Sequence, residues 1–78
     1  MDVRPEIVVD ARGHRCPVPT LRLRRAAEAA PAGSVLRLIA DDPLARIDAP
    51  HFARAAGFQL LSVSEEDGAL SVRVRKPV

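Results

Sequence analysis

The C-terminal segment Ala69–Lys76 alternates between apolar and polar side chains. One side of this segment would carry Leu70, Val72 and Val74, and the other would carry Ser71, Arg73 and Arg75. Such alternation is typical of a strand with one face on a hydrophobic core and the other in water. We therefore expect every helix of the chain to cover the same face of the sheet that contains this strand.

Three further strands and two helices are predicted upstream of this segment. The strands are expected at Glu6–Val9, Ser34–Ala40 and Phe58–Ser64, and the first of them should be buried on both faces. Helical periodicity predicts one helix over Pro17–Ala30 and a second that begins at Asp48 as its N-cap.

The dipeptide Asp67-Gly68 favours a tight hairpin between the last two strands. The order β-α-β-α-β-β then predicts an α+β fold, a two-layer sandwich with both helices on one face, as a single domain over residues 1–78.

Composition excludes several classes of protein. The chain has 78 residues, 12 Lys and Arg against 10 Asp and Glu, and two phenylalanines as its aromatic residues. Direct nucleic-acid binding is therefore not expected, since both the basic charge and the stacking platforms are weak. A single cysteine forms no internal disulfide. His14 and His51 are the only other side chains that could supply nitrogen or sulfur ligands, so a metal site is not expected, and no cofactor is implied. The absence of an apolar leader or spanning segment favours a cytoplasmic setting.

The single cysteine, Cys16, lies where the first strand ends and the first helix is expected to begin. Gly13 can adopt a positive φ and turn the chain, and Pro17 suits the first helical position. This arrangement predicts Cys16 as the N-cap, with its sulfur at the positive end of the helix dipole and with Arg12 and Arg15 nearby. Such settings lower a thiol pKa from about 8.5 into roughly the 3.5–7.5 range and make the cysteine reactive. The alternative is a small buried hydrophobic residue without chemistry.

A second loop is expected to face this cysteine. If the first two strands are parallel neighbours, the residues that follow each strand meet at the carboxyl edge of the sheet. Asp41, Asp42, Arg46 and Asp48 follow the second strand. The acids would raise the pKa of the thiol and Arg46 would lower it, unless these residues serve only as a turn and a helix cap.

Several neighbours of Cys16 have two interpretations each. Asp10 either accepts hydrogen bonds from the turn after it or is a solvated strand end. His14 either assists proton transfer or is a solvated loop residue. Leu21 lies on the polar side of its helix, and we predict that it forms a docking face for partner proteins with Arg12, Arg15 and Arg22.

The pattern Asp10-x-x-Gly13-x-x-Cys16-Pro17-x-Pro19 resembles the TusA/SirA-like family of small sulfur-carrier proteins. The resemblance continues through Ile39–Pro43 and Asp48-x-Pro50-x-Phe52 to the terminal Arg75-Lys76, and it covers nearly the whole chain. It implies a four-stranded mixed sheet and a sulfurtransferase that holds sulfane sulfur as a persulfide on Cys16. Gly13, Pro17 and Pro19 would shape the loop around that cysteine.

The resemblance also implies partners: a cysteine desulfurase or another sulfur donor, and a downstream acceptor protein, with the carrier itself a monomer. Relatives serve tRNA thiolation, molybdenum-cofactor maturation or sulfur oxidation, and no residue here selects among these pathways. Ala53 stands where some members have a second cysteine, which argues against a two-cysteine redox mechanism. The competing hypothesis is a thiol redox sensor or regulatory binding module, because an exposed low-pKa cysteine can also be oxidised reversibly.

Overall fold

The computed structural model describes residues 6–78, which form four strands and two helices. The strands are β1 (Ile7–Asp10), β2 (Val35–Ala40), β3 (Gln59–Glu66) and β4 (Ala69–Arg75), and the helices are α1 (Val18–Ala29) and α2 (Ala45–Ala55). The sheet order is β1-β2-β4-β3, with β1 and β2 parallel and the other pairs antiparallel. The predicted β-α-β-α-β-β order and the mixed four-stranded sheet are confirmed.

The alternation of apolar and polar residues in β4 places its apolar side chains on the core face of the sheet, as predicted. Leu70, Val72 and Val74 are buried and pair with the buried residues Ala40, Leu38 and Leu36 of β2. Both helices lie on this face and contribute mainly small side chains to the core, namely Pro19, Leu23 and Ala27 from α1 and Ala45, Ala49 and Ala53 from α2. Both helices therefore cover one face of the sheet, as predicted. Neither helix within residues 6–78 is long and apolar enough to cross a membrane.

The hairpin between β3 and β4 turns on two residues. Asp67 and Gly68 both have positive φ, at 52° and 78°. Positive φ at both central positions defines the type I′ turn, whose twist matches that of the flanking strands. Because the turn is this short, β3 extends to Glu66, two residues beyond its predicted end.

The prediction that the first strand is buried on both faces was wrong. Within residues 6–78, β1 pairs with β2 alone and lies at the edge of the sheet. Val9 faces the core, whereas Val8 points to the uncovered face and is 55% exposed. A run of apolar residues is compatible with burial on two faces, but the helices here cover one face only.

The second helix begins earlier than predicted. The chain leaves β2 and enters α2 at Ala45, with Leu44 rather than Asp48 at the N-cap position. The Asp42 side chain accepts a hydrogen bond from the backbone N–H of Leu44 at 3.1 Å, and the Asp48 N–H already donates to the Leu44 carbonyl oxygen at 2.9 Å. Asp42 therefore satisfies an N-terminal amide, a role that the sequence pattern gave to Asp48, and Pro50 lies inside the helix.

Candidate functional site

The loop between β1 and α1 is fastened to the neighbouring loop after β2. Gly13 has φ +85°, and its backbone N–H donates to the Asp41 carboxylate at 3.0 and 3.1 Å. Apart from Gly13 and its two chain neighbours, no atom of residues 6–78 lies within 4 Å of where a Cβ on Gly13 would be, so the glycine is required for its backbone conformation rather than for space. The predicted meeting of the two loops at the carboxyl edge of the sheet is confirmed.

Asp10 ends β1 and anchors two arginines. It accepts hydrogen bonds from the backbone N–H of Arg12 at 3.2 Å and from the Arg12 guanidinium at 2.9 and 2.7 Å. These contacts lower the pKa of the Asp10 carboxyl to about 2. Arg22 donates to the Asp10 carbonyl oxygen at 3.0 Å. The interpretation of Asp10 as an acceptor for the turn that follows it is confirmed.

The predicted helix cap at Cys16 was wrong. Helix α1 begins at Val18, Pro17 occupies the N-cap position, and Pro19 lies at the second helical position. The Val18 N–H donates to the Arg15 carbonyl oxygen at 2.9 Å, while the Pro17 carbonyl oxygen accepts from Leu21 at 3.1 Å. Because the backbone turn already uses the Val18 N–H, the cysteine sulfur does not cap the helix. The Cys16–Pro17 peptide bond is cis.

Two carboxylates hold Cys16 instead. The backbone N–H of Cys16 donates to Asp42 Oδ2, and the Cys16 Sγ donates to Asp48 Oδ2. The cysteine is partly exposed and free. Its thiol therefore belongs to a partly exposed residue and is hydrogen-bonded to a carboxylate of helix α2.

This environment raises the pKa of the Cys16 thiol. The largest cause is the hydrogen bond to Asp48, followed by desolvation and by the negative charges of Asp48 and Asp42. The predicted lowering of the thiol pKa was wrong, because the sulfur faces carboxylates rather than helix amides and arginines. The two backbone N–H donors from Cys16 and Leu44, together with the charge of Arg15, lower the pKa of Asp42 and keep it anionic.

Not all predicted neighbours reach the sulfur. Arg46 forms an ion pair with Glu65 of β3, so its guanidinium is paired with that carboxylate and does not contact the thiol. Asp41 binds the Gly13 amide rather than the cysteine, and His14 is exposed in the loop. Asp48 was expected at this edge of the sheet among the acids that face the cysteine, but its direct hydrogen bond to the sulfur was not predicted. Its position at the same sheet edge was a usable signal, but the pattern favoured a helix cap.

Apolar side chains are exposed at the starts of both helices. Leu21 is 52% exposed, as its position on the polar side of α1 predicts. Val18 of α1 and Leu44 and Ile47 at the start of α2 are also exposed. Val18 follows the cysteine loop directly, and Leu44 and Ile47 lie at the N-terminal end of α2, which also carries Asp48. Among residues 6–78 no group of three or more His, Cys, Asp or Glu side chains could hold a metal ion.

The fold and the site define a class of protein: a small α+β sandwich that carries its only cysteine, partly exposed, in the loop before the first helix. A family profile described as sulfurtransferase TusA matches residues 7–76. The chain belongs to the TusA family.

Relatives agree along nearly the whole chain. It is 37% identical over 75 residues to the sulfur carrier protein TusA of Pseudomonas putida (strain GB-1), covering 96% of this chain and 94% of that protein. The values are the same for the sulfur carrier protein TusA of Pseudomonas entomophila (strain L48). The crystal structure of a SirA-like protein from Desulfitobacterium hafniense superposes with a TM-score of 0.81 at 31% identity, covering 92% of this chain and 99% of that one.

Proposed function

We propose that this protein is a sulfur carrier that holds sulfane sulfur as a persulfide on Cys16. The observation that carries the proposal is that the only cysteine is free and partly exposed, in the loop between β1 and α1. In the loading step the Cys16 sulfur attacks the terminal sulfur of a donor persulfide. The donor S–S bond breaks, the Cys16 S–S bond forms, and the donor leaves as a thiol after taking up one proton. Delivery to an acceptor thiol is the same exchange in reverse.

The site favours this role over a redox sensor. Oxidation to a sulfenic acid begins from the thiolate and is usually followed by attack of a second cysteine. Here the pKa of Cys16 is raised, and the chain has no second cysteine. A thiol that stays protonated at rest is protected from adventitious oxidation, and it can still be activated when a donor arrives.

Protein partners would dock around the thiol. Arg12, Arg15, Arg22 and Leu21 form the proposed docking face, and the exposed Val18, Leu44 and Ile47 extend it with apolar surface. Apolar contacts surrounded by positive charge suit a transient protein interface, in which charge acts mainly on the association rate. A cysteine desulfurase or another persulfide-bearing protein would be the donor. The acceptor would serve tRNA thiolation, molybdenum-cofactor maturation or sulfur oxidation in the cytoplasm.

Intact-mass measurement tests the loading step directly. The protein is incubated with a cysteine desulfurase and cysteine, and a gain of one sulfur atom is expected on the wild type and not on Cys16→Ser. Serine is close to cysteine in size, so the variant should fold and melt as the wild type does. Sulfur loading that persists in Cys16→Ser would refute the assignment. Reversible sulfenylation of the wild type without sulfur uptake would instead identify a redox sensor.

A further inference from the structure

Asp48 is placed where it can exchange a proton with the reacting sulfur. Its Oδ2 accepts a hydrogen bond from Cys16 Sγ across 32 residues of sequence. Its backbone N–H is bonded to the Leu44 carbonyl oxygen at 2.9 Å, and the next residue, Ala49, is fully buried in the core. The carboxylate is therefore carried by a packed helix rather than by a mobile loop, which favours a defined geometry at the sulfur.

Sulfur transfer requires a proton to move in each direction. A neutral thiol is a poor nucleophile and must lose its proton as it attacks the sulfane sulfur. The thiolate that leaves the donor must then gain one. A carboxylate in contact with the attacking sulfur is suited to both transfers.

We propose that Asp48 is a catalytic residue that accepts the Cys16 thiol proton during loading and returns it to the departing donor sulfur. The proposal rests on the proposed function of Cys16. The net reaction is Cys16–SH + R–S–SH giving Cys16–S–SH + R–SH, in which one S–S bond forms, one breaks and no oxidant is needed. During delivery the same carboxylate takes the proton of the attacking acceptor thiol and passes it to the Cys16 sulfur, which is then the leaving group.

The other charged groups around the thiol are engaged elsewhere. Asp42, from the loop after β2, accepts backbone N–H groups of Cys16 and Leu44 with its two oxygens. Arg15, from the cysteine's own loop, acts on the charge of Asp42, and Arg46 of α2 is paired with Glu65. Among the described residues 6–78, Asp48 is the ionisable side chain that contacts the sulfur.

Two reactions of the Cys16 thiol distinguish proton transfer by Asp48 from a role in which the Asp48 charge only disfavours the thiolate. Alkylation by iodoacetamide needs only the thiolate, and it releases iodide, which takes no proton. Replacing Asp48 removes the hydrogen bond and the charge that hold the thiol protonated, so alkylation near neutral pH should become several-fold faster. Sulfur uptake from glutathione persulfide instead expels a thiolate, which is more basic than iodide and leaves more readily when an acid protonates it. Without Asp48 this uptake should become about 100-fold slower, a typical contribution of general acid–base catalysis.

The experiment compares Asp48→Asn and Asp48→Ala with the wild type in both reactions, followed by intact mass. Two variants are used because the asparagine amide can donate a hydrogen bond and the alanine methyl group cannot, so a shared effect reflects loss of the carboxylate. Glu28→Gln, on the exposed side of α1, removes the same charge far from the thiol and should leave both rates unchanged. Faster alkylation with slower sulfur uptake is the expected result.

Acceleration of both reactions would overturn the proposal, because Asp48 would then act only by repelling the thiolate. Unchanged sulfur uptake in folded variants, with the fold checked by circular dichroism, would overturn it as well. Failure of the wild type itself to take up sulfur from either glutathione persulfide or a cysteine desulfurase would refute the proposed carrier function. That result is distinct from the two outcomes that overturn the role of Asp48, because in both of those the wild type takes up sulfur.

Discussion

Replacing Leu23 by alanine should weaken the packing of helix α1 against the sheet and lower the stability of the fold. Leu23 is fully buried beneath α1, where it packs in the core with residues of the sheet and of α2. Removing a buried leucine side chain to the β-carbon costs about 2–5 kcal/mol, and the cost is largest where the surroundings collapse least. Six of the 13 residues in the buried core cluster of residues 6–78 are alanines, whose short side chains have little freedom to refill a void. We therefore expect a loss of about 3 kcal/mol in the free energy of unfolding.

In a domain of this size about 1 kcal/mol lowers the melting temperature by roughly 4–8 °C. The loss expected for Leu23→Ala therefore corresponds to about 12–24 °C in thermal unfolding followed by circular dichroism. The matched control is Leu21→Ala, the same substitution two residues earlier on the same helix.

Leu21 is 52% exposed, so its replacement should change stability by no more than about 0.5 kcal/mol. Equal losses for the two variants would refute the assignment of α1's buried face. A small loss for Leu23→Ala alone would mean that the core tolerates the cavity.

Three further predictions concern charge. The rate of Cys16 alkylation should titrate with a midpoint above the ordinary thiol pKa, because the hydrogen bond to Asp48, desolvation and nearby carboxylates favour the neutral form; a midpoint at or below the value of a free cysteine would contradict this. The pKa of Asp10 is lowered to about 2 from 3.8, so its stabilising contribution is fully present above pH 3.8 and is lost as the pH falls through about 2. The acid limb of the stability–pH curve should therefore be shallower in Asp10→Asn, and an unchanged limb would show that Arg12 does not stabilise the fold. Reversing Arg15 and Arg22 to glutamate should slow sulfur uptake from a donor protein at low salt but should not slow uptake from glutathione persulfide. If the variant and the wild type took up sulfur from the donor protein at the same rate at low salt, the docking face would be excluded.

Local patterns in the sequence predicted most of the architecture. Alternation in β4 and the Asp67-Gly68 turn depend on neighbouring residues only, and both were confirmed together with the β-α-β-α-β-β order. The parallel pairing of β1 and β2 also follows from the short helical connection between them. That pairing was enough to predict that the loop of Cys16 meets the loop of Asp41 and Asp42.

The tertiary structure decided the electrostatics of the cysteine. From the sequence, Cys16 was expected to cap a helix among arginines and to face the acids that follow β2, and a lowered pKa was predicted because the helix terminus and the arginines were given the larger effect. Its sulfur instead donates to Asp48, a residue 32 positions away, while Arg46 pairs with Glu65. A pKa depends on groups within a few ångströms in space, and their identity is set by how two loops and a helix start pack against one another. The sequence by itself determined where the thiol lies, and only the packing of α2 against the cysteine loop determined which charge it faces.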